Sequence, residues 1–377
     1  MKHQQAQFSR FDLIRPAIRR MHGYVPGEQP REVHSYIKMN SNENPYPPSP
    51  RVLQALRHAV GQAGQVGPAF DDPDGHMDLR VYPSPTAEDL REKAATVYDL
   101  EPNQILIGNG SDDLLTMLMR TCVDPGDRVA YPVLTYSLYD ILVAMQDGHA
   151  VHVPWPQDFS LPVQQLVESE AKLVFVANPN APFGNFTPLD QLEALARQTR
   201  SIVVVDEAYV DFAEASALPL IHTYPHVLIL RTFSKSFSLA GMRIGMAFGQ
   251  PELLAELMKV KDSYNLNRLS IVAAIAALED YDWMRANAEK ICASRSRLRD
   301  ALHTLGYLVY PSQANFVLAR MNGVNQQSMY EWLKTHKILV RYFSAPELAD
   351  CVRISIGTDD EIDQLLAAMQ QFQRRPV

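Results

Sequence analysis

One lysine lies where it can do covalent chemistry. Lys235 follows an apolar, strand-like run, is flanked by Ser234 and Ser236, and has Arg243 eight positions further on. Desolvation disfavours the charged form of an amine, and a neutral amine can attack a carbonyl carbon to form a Schiff base. An arginine nearby can hold a phosphate through its fixed fork of donors. Aldehyde capture beside phosphate binding indicates pyridoxal 5'-phosphate as a cofactor.

A carboxylate and a tyrosine follow a second apolar run. Asp206 and Tyr209 come directly after residues 201–205, Ser-Ile-Val-Val-Val. The carboxyl end of a buried parallel strand is where α/β folds bind their ligands. Asp206 can pair with a protonated pyridine nitrogen, or it can cap a helix. Tyr209 is either a donor to the cofactor's phenolic oxygen or a packed aromatic.

A glycine-containing turn joins another strand to a helix. Gly110, Ser111 and Asp112 belong to the sequence Gly-Asn-Gly-Ser-Asp-Asp, where free amides at the helix start attract an anion. A capped helix with acidic residues near its positive end explains the same residues without a ligand. The motif alone leaves both interpretations open.

Two arginines occur inside apolar segments near the C-terminus. Arg341 and Arg353 lie in Ile-Leu-Val-Arg-Tyr-Phe and Val-Arg-Ile-Ser-Ile-Gly. A charge inside an apolar strand needs a partner. The pair therefore suits a substrate with two anionic groups, or one substrate group and one structural ion pair.

The elements that must position these residues alternate between strand and helix up to about residue 250. Continuous apolar runs predict strands covered on both faces, and the alternation predicts a parallel or mixed sheet in an α/β fold. We expect an N-terminal arm at 1–36, a three-layer αβα domain with a mostly parallel mixed sheet at 37–265, and a smaller α+β domain at 266–377. The predicted strands are 104–108, 128–131, 172–177, 201–205 and 227–230, followed by 314–319 and 351–356 in the smaller domain.

Composition limits the classes of partner. The net charge of −8 disfavours nucleic acid and anionic membranes, and no apolar run is long enough to span a bilayer. Cys122, Cys292 and Cys351 are widely separated, which favours free thiols in the cytoplasm. We assign no metal, because Pro225 separates His222 from His226 and the Asp72–Asp74 region lacks the required acidic positions.

Taken in order, these motifs resemble the fold-type I, pyridoxal-phosphate-dependent aminotransferases of class I/II, and among them the histidinol-phosphate aminotransferases. The resemblance runs from about residue 15 to residue 372. It rests on Asn42-Glu43-Asn44-Pro45, Tyr82-Pro83, Gly108 to Asp112, Tyr136, Asp206 to Tyr209, Ser234-Lys235, Arg243 and Arg353 to Gly357.

The resemblance implies a role for each matching residue. Lys235 forms the Schiff base and moves a proton, Asp206 pairs with the ring nitrogen, Tyr209 acts beside them, and Tyr136 stacks on the ring. The phosphate is surrounded by Gly110, Ser111, Asp112, Ser234 and Arg243, and Tyr82 reaches the phosphate of a neighbouring subunit, which implies a homodimer with shared active sites. The implied substrate residues are Tyr24, Asn44, Asn315, Arg341 and Arg353.

The sequence departs from the family at one turn. The family's asparagine before the Pro-Thr-Gly turn is Ala181 here, and the threonine is Phe183. We predict that Asn180, or else Asn178, supplies the missing amide to the cofactor, and that Phe183 narrows the pocket. A second departure is the insertion-like segment 61–80 before Tyr82, which we interpret as a solvated surface loop, with a lid as the alternative.

The resemblance implies transfer of an amino group between glutamate and imidazole acetol phosphate, which yields histidinol phosphate in histidine biosynthesis. Aromatic amino-acid transamination and threonine-phosphate decarboxylation are the enzymatic alternatives. A regulator that binds the cofactor without turnover is the non-enzymatic one, and the acidic charge disfavours it.

Overall fold

The computed structural model describes residues 13–24, 27–32, 35–60 and 80–375. Nearly all of the predicted surface loop at 61–80 lies outside the described residues, together with Asp72, Asp74 and the first part of the predicted arm.

A seven-stranded sheet organises the larger part of the chain, in the order β2-β8-β7-β6-β5-β3-β4. Every neighbouring pair is parallel except the two pairs that β8 makes, which are antiparallel. The predicted mostly parallel mixed sheet is therefore confirmed. The strands are β2 Ile105–Gly108, β3 Arg128–Val133, β4 His149–Pro154, β5 Leu173–Ala177, β6 Ile202–Asp206, β7 Val227–Thr232 and β8 Gly245–Phe248.

The central strands are buried on both faces because their side chains alternate between two hydrophobic layers. In β5, Leu173 and Phe175 belong to one layer, whereas Val174 and Val176 belong to the other. Helices α4, α5 and α9 cover the first face, and α3, α6, α7 and α10 cover the second. These helices are α3 Glu88–Tyr98, α4 Ser111–Cys122, α5 Leu138–Met145, α6 Val163–Glu168, α7 Leu189–Gln198, α9 Pro251–Met258 and α10 Arg268–Glu279, and the remaining ones in this region are α1 Pro16–Arg20, α2 Pro50–Val60 and α8 Leu220–Thr223.

A second sheet of five strands has the order β1-β11-β12-β10-β9. Its pairs are antiparallel apart from β1 with β11. Strands β1 Ile37–Met39, β9 Leu308–Val309, β10 Phe316–Arg320, β11 Ile338–Tyr342 and β12 Cys351–Ser355 are accompanied by helices α11 Tyr281–Thr304, α12 Gln327–Thr335 and α13 Asp359–Gln373.

The first residues after the predicted arm belong to the smaller sheet, so the chain joins the larger sheet later than the predicted division at residue 37 implies. Residues 37–39 form β1, which pairs with β11 of the five-stranded sheet instead of joining the larger one. Only three residues long, β1 is too short to carry a periodicity of its own, and its place is fixed by pairing with a strand some 300 residues away. The boundary at residue 266 stays a prediction.

Within the described residues, no helix has the length and apolar character that crossing a membrane requires. All three cysteines are free thiols, as predicted. His222 lies in α8, which ends before Pro225. His226 lies beyond that helix and contacts the Ala196 carbonyl oxygen, so the two histidines do not form a pair on one helix.

Candidate active site

A cavity of about 580 Å³ opens where the carboxyl ends of the parallel strands face the five-stranded sheet. We call its two sides the large-sheet wall and the small-sheet wall. The large-sheet wall comprises Ser111, Asp112, Tyr136, Asp206, Tyr209, Ser234, Lys235 and Arg243, and the small-sheet wall comprises Arg341, Phe343, Leu348 and Arg353.

The start of α4 forms one end of the large-sheet wall. Gly110 precedes the helix with φ at +86°, and among the described residues no side chain caps the amides that follow it. A Cβ on Gly110 would lie 2.6 Å from Nη2 of Arg243, and one on Gly245 would lie 2.5 Å from the Ser111 nitrogen. Glycines at both positions therefore let the helix start, its free N–H groups and the guanidinium converge.

Arg243 lies over this helix start. Its Nη2 is 3.4 Å from Asp112 Oδ2, and its Nη1 is 3.3 Å from Ser234 Oγ. Tyr136 donates to Asp112 Oδ1 over 3.2 Å. The Asp112 carboxylate thus holds Arg243 and Tyr136, and the donors left for an anion are the backbone amides, the serine hydroxyls and the guanidinium.

Asp206 ends β6 and is almost wholly buried. It accepts hydrogen bonds from Tyr139 Oη at 2.8 Å and from the Ala208 amide at 3.2 Å. Burial raises the pKa of this carboxyl to about 6, although both hydrogen bonds act to lower it. In the described part of the chain, no Lys, Arg or His forms an ion pair with Asp206, in contrast to Glu207, which pairs with Arg231. A buried carboxylate without a cation suits a ligand that brings one, such as a pyridinium nitrogen.

Lys235 follows β7 in a loop tied down on both sides. Asn44 donates from Nδ2 to the carbonyl oxygens of Lys235 and Ser236, over 3.1 and 3.0 Å. The Lys235 ammonium donates to the Ser41 carbonyl oxygen at 3.3 Å and lies 5.6 Å from the centre of the Tyr209 ring. The amine is therefore held in the cavity, beside both Tyr209 and the segment that follows β1.

The two arginines of the small-sheet wall are direct partners across antiparallel strands. Arg341 on β11 is in register with Arg353 on β12, so both side chains leave the sheet on the same face. The ring of Phe343 lies 5.7 Å from one guanidinium and 5.8 Å from the other. Within the described residues, the buried Nε of Arg353 has no hydrogen-bond partner, which leaves a donor for an anionic ligand.

Tyr24 closes the cavity from the N-terminal arm. It lines the cavity and meets Tyr136 edge to face, with ring centroids 6.2 Å apart. A hydrogen bond of 3.0 Å from Arg20 to Asp147 ties this part of the arm to the large domain. The predicted placement of Tyr24 near the ligand is consistent with this geometry.

The structure does not bring Asn180 to the cavity, and this corrects the predicted role of its amide. Asn180 is fully buried, donates to the Leu134 carbonyl oxygen at 3.0 Å and accepts from Thr135 Oγ1 at 2.7 Å. The alternative, Asn178, is bonded twice to the backbone of Thr187. Both amides hold the turn together, and neither Asn178 nor Asn180 lines the cavity.

Phe183 is also displaced from its predicted position. It lies 4.9 Å from the Phe159 ring and 5.1 Å from the Tyr310 ring, in a cluster that also contains Leu348 and Phe343 of the small-sheet wall, but it is not itself among the lining residues. The large side chain fills space beside the turn and does not narrow the cavity.

Asn44, Asn315 and Tyr82 were predicted at the site but do not line the cavity. Asn44 supports the lysine loop, and Asn315 donates to the Asn42 carbonyl oxygen at 2.9 Å. Tyr82 is 73% exposed and stacks on Tyr264 with ring centroids 4.3 Å apart. Asn44 and Asn315 thus act through other residues, and the predicted contact of Tyr82 with a neighbouring subunit stays a prediction.

Sequence reasoning missed Asn42 and Tyr139. Tyr139 lies in α5 and resembles any core aromatic in sequence, although its hydroxyl binds Asp206. Asn42 begins the Asn-Glu-Asn-Pro motif, whose sequence predicts no role for it, and its backbone φ of +57° and its contacts with Tyr209 and Ser355 single it out. No local pattern identifies a residue that links two sheets.

Metal binding has no support in the geometry of the described residues, since no three His, Cys, Asp or Glu side chains are grouped there in a suitable arrangement. The donor set fits pyridoxal 5'-phosphate instead. It combines an amine for an aldehyde, an anion site at a helix start and a buried carboxylate that lacks a cation.

Comparison with known proteins gives a consistent result. Residues 34–369 match the family model described as aminotransferase class I and II. The chain is 41% identical to histidinol-phosphate aminotransferase 1 of Trichormus variabilis, an alignment that covers 96% of this chain and 99% of that protein. It is 42% identical to histidinol-phosphate aminotransferase 1 of a Nostoc species, over 96% of this chain and 98% of that one.

A solved structure shows the same architecture. The histidinol-phosphate aminotransferase of Sinorhizobium meliloti, crystallised in complex with pyridoxal 5'-phosphate, superposes with a TM-score of 0.84 at 29% identity. The match covers 97% of this chain and 99% of that one.

Proposed function

Because this chain belongs to the class I and II aminotransferase family, we propose that it is a pyridoxal-phosphate-dependent transaminase acting on histidinol phosphate and imidazole acetol phosphate, with glutamate and 2-oxoglutarate as the second pair. This activity is a step of histidine biosynthesis. The relatives named histidinol-phosphate aminotransferase 1, which are 41–42% identical over nearly the full chain, support this choice of substrate.

When bound, pyridoxal 5'-phosphate supplies an aldehyde that takes up an amino group and a ring that withdraws electrons. Lys235 Nζ would hold the cofactor covalently, and the same amine would move a proton at the substrate α-carbon. Asp206 would hold a proton on the ring nitrogen, and the helix start with Ser111, Ser234 and Arg243 would bind the phosphate. Tyr136 would pack on the ring, and Tyr209 would donate to its phenolic oxygen.

The observation that carries the substrate assignment is the in-register pair of arginines on the small-sheet wall. Histidinol phosphate bears a phosphomethyl group where an amino acid bears its α-carboxylate. The phosphate is longer and carries more charge than a carboxylate, and two neighbouring guanidiniums can hold it at several oxygens. The same pair can also hold the carboxylates of glutamate, which must use this cavity in the other half of the reaction.

We further propose that the enzyme is a homodimer with shared active sites. The exposed, stacked ring of Tyr82 supports this arrangement, because it is available to a second copy and is not used in its own cavity. A cytoplasmic location remains a prediction from composition.

The test is a turnover assay of the purified protein loaded with pyridoxal 5'-phosphate. Glutamate should remove the visible absorption of the bound cofactor, and imidazole acetol phosphate should restore it. The value of kcat/KM for histidinol phosphate should exceed the values for phenylalanine, tyrosine and aspartate. A higher value for an aromatic amino acid would reassign the substrate, and visible absorption without any turnover would favour a binding protein.

A further inference from the structure

The short segment that follows β1 contacts both walls of the cavity. The Asn40 carbonyl oxygen accepts from Arg353 Nη2 at 3.2 Å, and the Ser41 carbonyl oxygen accepts from Lys235 Nζ at 3.3 Å. Asn42 donates to the Tyr209 hydroxyl oxygen at 2.9 Å. Residues 40–42 therefore touch three of the groups that the proposed function uses.

Asn42 is the most constrained member of this segment. It is 2% exposed and has φ at +57°, a left-handed conformation that asparagine tolerates better than most residues. The backbone N–H of Asn42 donates to Ser355 Oγ at 2.8 Å, and that hydroxyl donates to the side-chain oxygen Oδ1 of Asn42 at 2.9 Å. Asn315 holds its carbonyl oxygen. Since Ser355 occupies Oδ1, the amide orientation is fixed, and Nδ2 must face Tyr209.

This orientation determines what the Tyr209 hydroxyl can do. Its oxygen accepts from Asn42, and within the described residues its proton has no acceptor. A phenol that accepts on one side directs its proton away from that donor. Both Tyr209 and Asn42 line the cavity, so this proton is available to a ligand bound there.

The environment of Tyr209 makes this proton important. Ala181 lines the same cavity, and it packs in the same small apolar cluster, with Phe316, against which Tyr209 lies. A methyl group at position 181 donates no hydrogen bond, and the amides of Asn178 and Asn180 are engaged in the turn. Tyr209, whose hydroxyl proton has no acceptor among the described residues, is thus a side-chain donor at this corner of the cavity.

We propose that Asn42 is a positioning residue that directs the Tyr209 hydroxyl proton onto the phenolic oxygen of the cofactor, and that this fixed donor compensates for alanine at position 181. The inference rests on the proposed function, since it needs a cofactor bound at Lys235. Asn42, which follows a strand of the small sheet, would thus control how Tyr209 of the large-sheet wall donates its proton.

Hydrogen-bond donation to a phenolate oxygen stabilises the form that has lost the proton shared with the Schiff-base nitrogen. A weaker donor should therefore raise the pKa of the lysine-bound cofactor. The charged and titratable groups around Tyr209 and this nitrogen are Asp206 on β6, Tyr139 on α5, Tyr136 and Asp112 beside α4, Arg243 before β8, Tyr24 of the arm, and Arg341 and Arg353 of the small sheet.

The experiment is a pH titration of the visible absorption of the bound cofactor. Asn42→Gly removes the side chain and keeps a residue that adopts positive φ without strain. We expect the pKa of the lysine-bound cofactor to rise by about one pH unit, the equivalent of ~1.4 kcal/mol and thus of about one hydrogen bond. Asn42→Asp is the second variant, because it keeps the Ser355 contact and accepts from Tyr209, which turns the proton away from the cavity. Asn287→Ala, a buried asparagine of α11, is the matched control and should leave this pKa unchanged.

Two further variants separate positioning from a structural role. In a Tyr209→Phe background, Asn42→Gly should cause no additional rise, because the two substitutions remove the same donor. Adding Ala181→Asn to Asn42→Gly should bring the pKa back down, because it supplies a second donor at the same corner. The thermal stability of the cofactor-free variants, measured in parallel, records any general loss of folding.

These measurements separate the role of Asn42 from the proposed transaminase activity. A wild-type pKa in Asn42→Gly, or an equal rise with and without the Tyr209 hydroxyl, would overturn the role of Asn42 and leave the transaminase proposal intact. If the wild-type protein acquires no visible absorption with pyridoxal 5'-phosphate, the proposed function fails, and the inference fails with it.

Discussion

The large-sheet wall is built from turns that directly follow parallel strands, whereas the small-sheet wall depends on two residues that face each other across antiparallel strands. In the first case, each functional residue lies within a few positions of a strand end, as Asp206 ends β6 and Lys235 follows β7. In the second, Arg341 and Arg353 are brought together by the register of β11 with β12.

This difference corresponds to a division of chemistry. The large-sheet wall holds groups that suit a cofactor, namely an amine, a buried carboxylate and an anion site at a helix start. The small-sheet wall holds guanidiniums that suit the anionic end of a substrate. Substitutions on one side should therefore change cofactor binding, and those on the other should change substrate selection.

The largest effect is expected at the lysine. Lys235→Ala should lower kcat by about 10⁴-fold, because both the covalent attachment and the proton transfer are lost. Steady-state rates with histidinol phosphate and the visible spectrum measure the two losses. Lys259→Ala, an exposed lysine paired with Glu256, is the control and should behave as wild type. Residual turnover within ten-fold of wild type would remove Lys235 from the assignment.

Next is a substitution that should change the stability of the fold much more than it changes substrate binding. Phe183→Ala empties a position packed between Phe159 and Tyr310, and should lower the free energy of unfolding by about 3–4 kcal/mol. Because Phe183 does not line the cavity, KM should change little at temperatures where the variant is folded. Urea unfolding and substrate kinetics test the two parts. A large change in KM with wild-type stability would place Phe183 at the substrate after all.

The two arginines of the small-sheet wall test the division of chemistry directly. Arg353→Gln and Arg341→Gln should each lower kcat/KM roughly 10- to 150-fold, the equivalent of ~1.5–3 kcal/mol for a charge-assisted hydrogen bond. Arg341→Gln should affect histidinol phosphate more than glutamate, because the longer phosphate reaches both guanidiniums. The dissociation constant of pyridoxal 5'-phosphate should stay unchanged in both variants. Weakened cofactor binding would contradict the separation of the two walls.

The smallest effect concerns the cofactor-free protein. Folding raises the pKa of Asp206 from 3.8 to about 6, so the folded chain binds more protons than the unfolded chain between these values. Stability contributed by this site is therefore lost as the pH rises from about 4 to 6, and the penalty persists above it. Asp206→Asn should stabilise the cofactor-free protein at pH 8 by about 1–2 kcal/mol, while activity is lost. Melting temperatures across this pH range measure the effect, and a variant less stable than wild type at pH 8 would refute it.

Several features of this protein follow from sequence alone because their physical causes are local. Continuous apolar runs predicted the central strands, and the alternation with helices predicted their parallel arrangement. Since the carboxyl ends of parallel strands meet at one edge, residues following different strands were expected to converge. The match to the aminotransferase family, and the pyridoxal 5'-phosphate bound in the solved relative, agree with this prediction.

Tertiary structure decided which side chains are free to act. From sequence, Asn178 and Asn180 are candidates to bind the cofactor, but their side-chain amides donate to the backbone carbonyl oxygens of Thr187 and Leu134. Phe183, which the sequence predicts to narrow the cavity, packs instead against Phe159 and Tyr310. Asn42, without a distinctive local pattern, gained its contact with Tyr209 through β1, which pairs with β11. Spacing along the chain records strand ends and turns, whereas hydrogen-bond partners and strand register depend on residues hundreds of positions away.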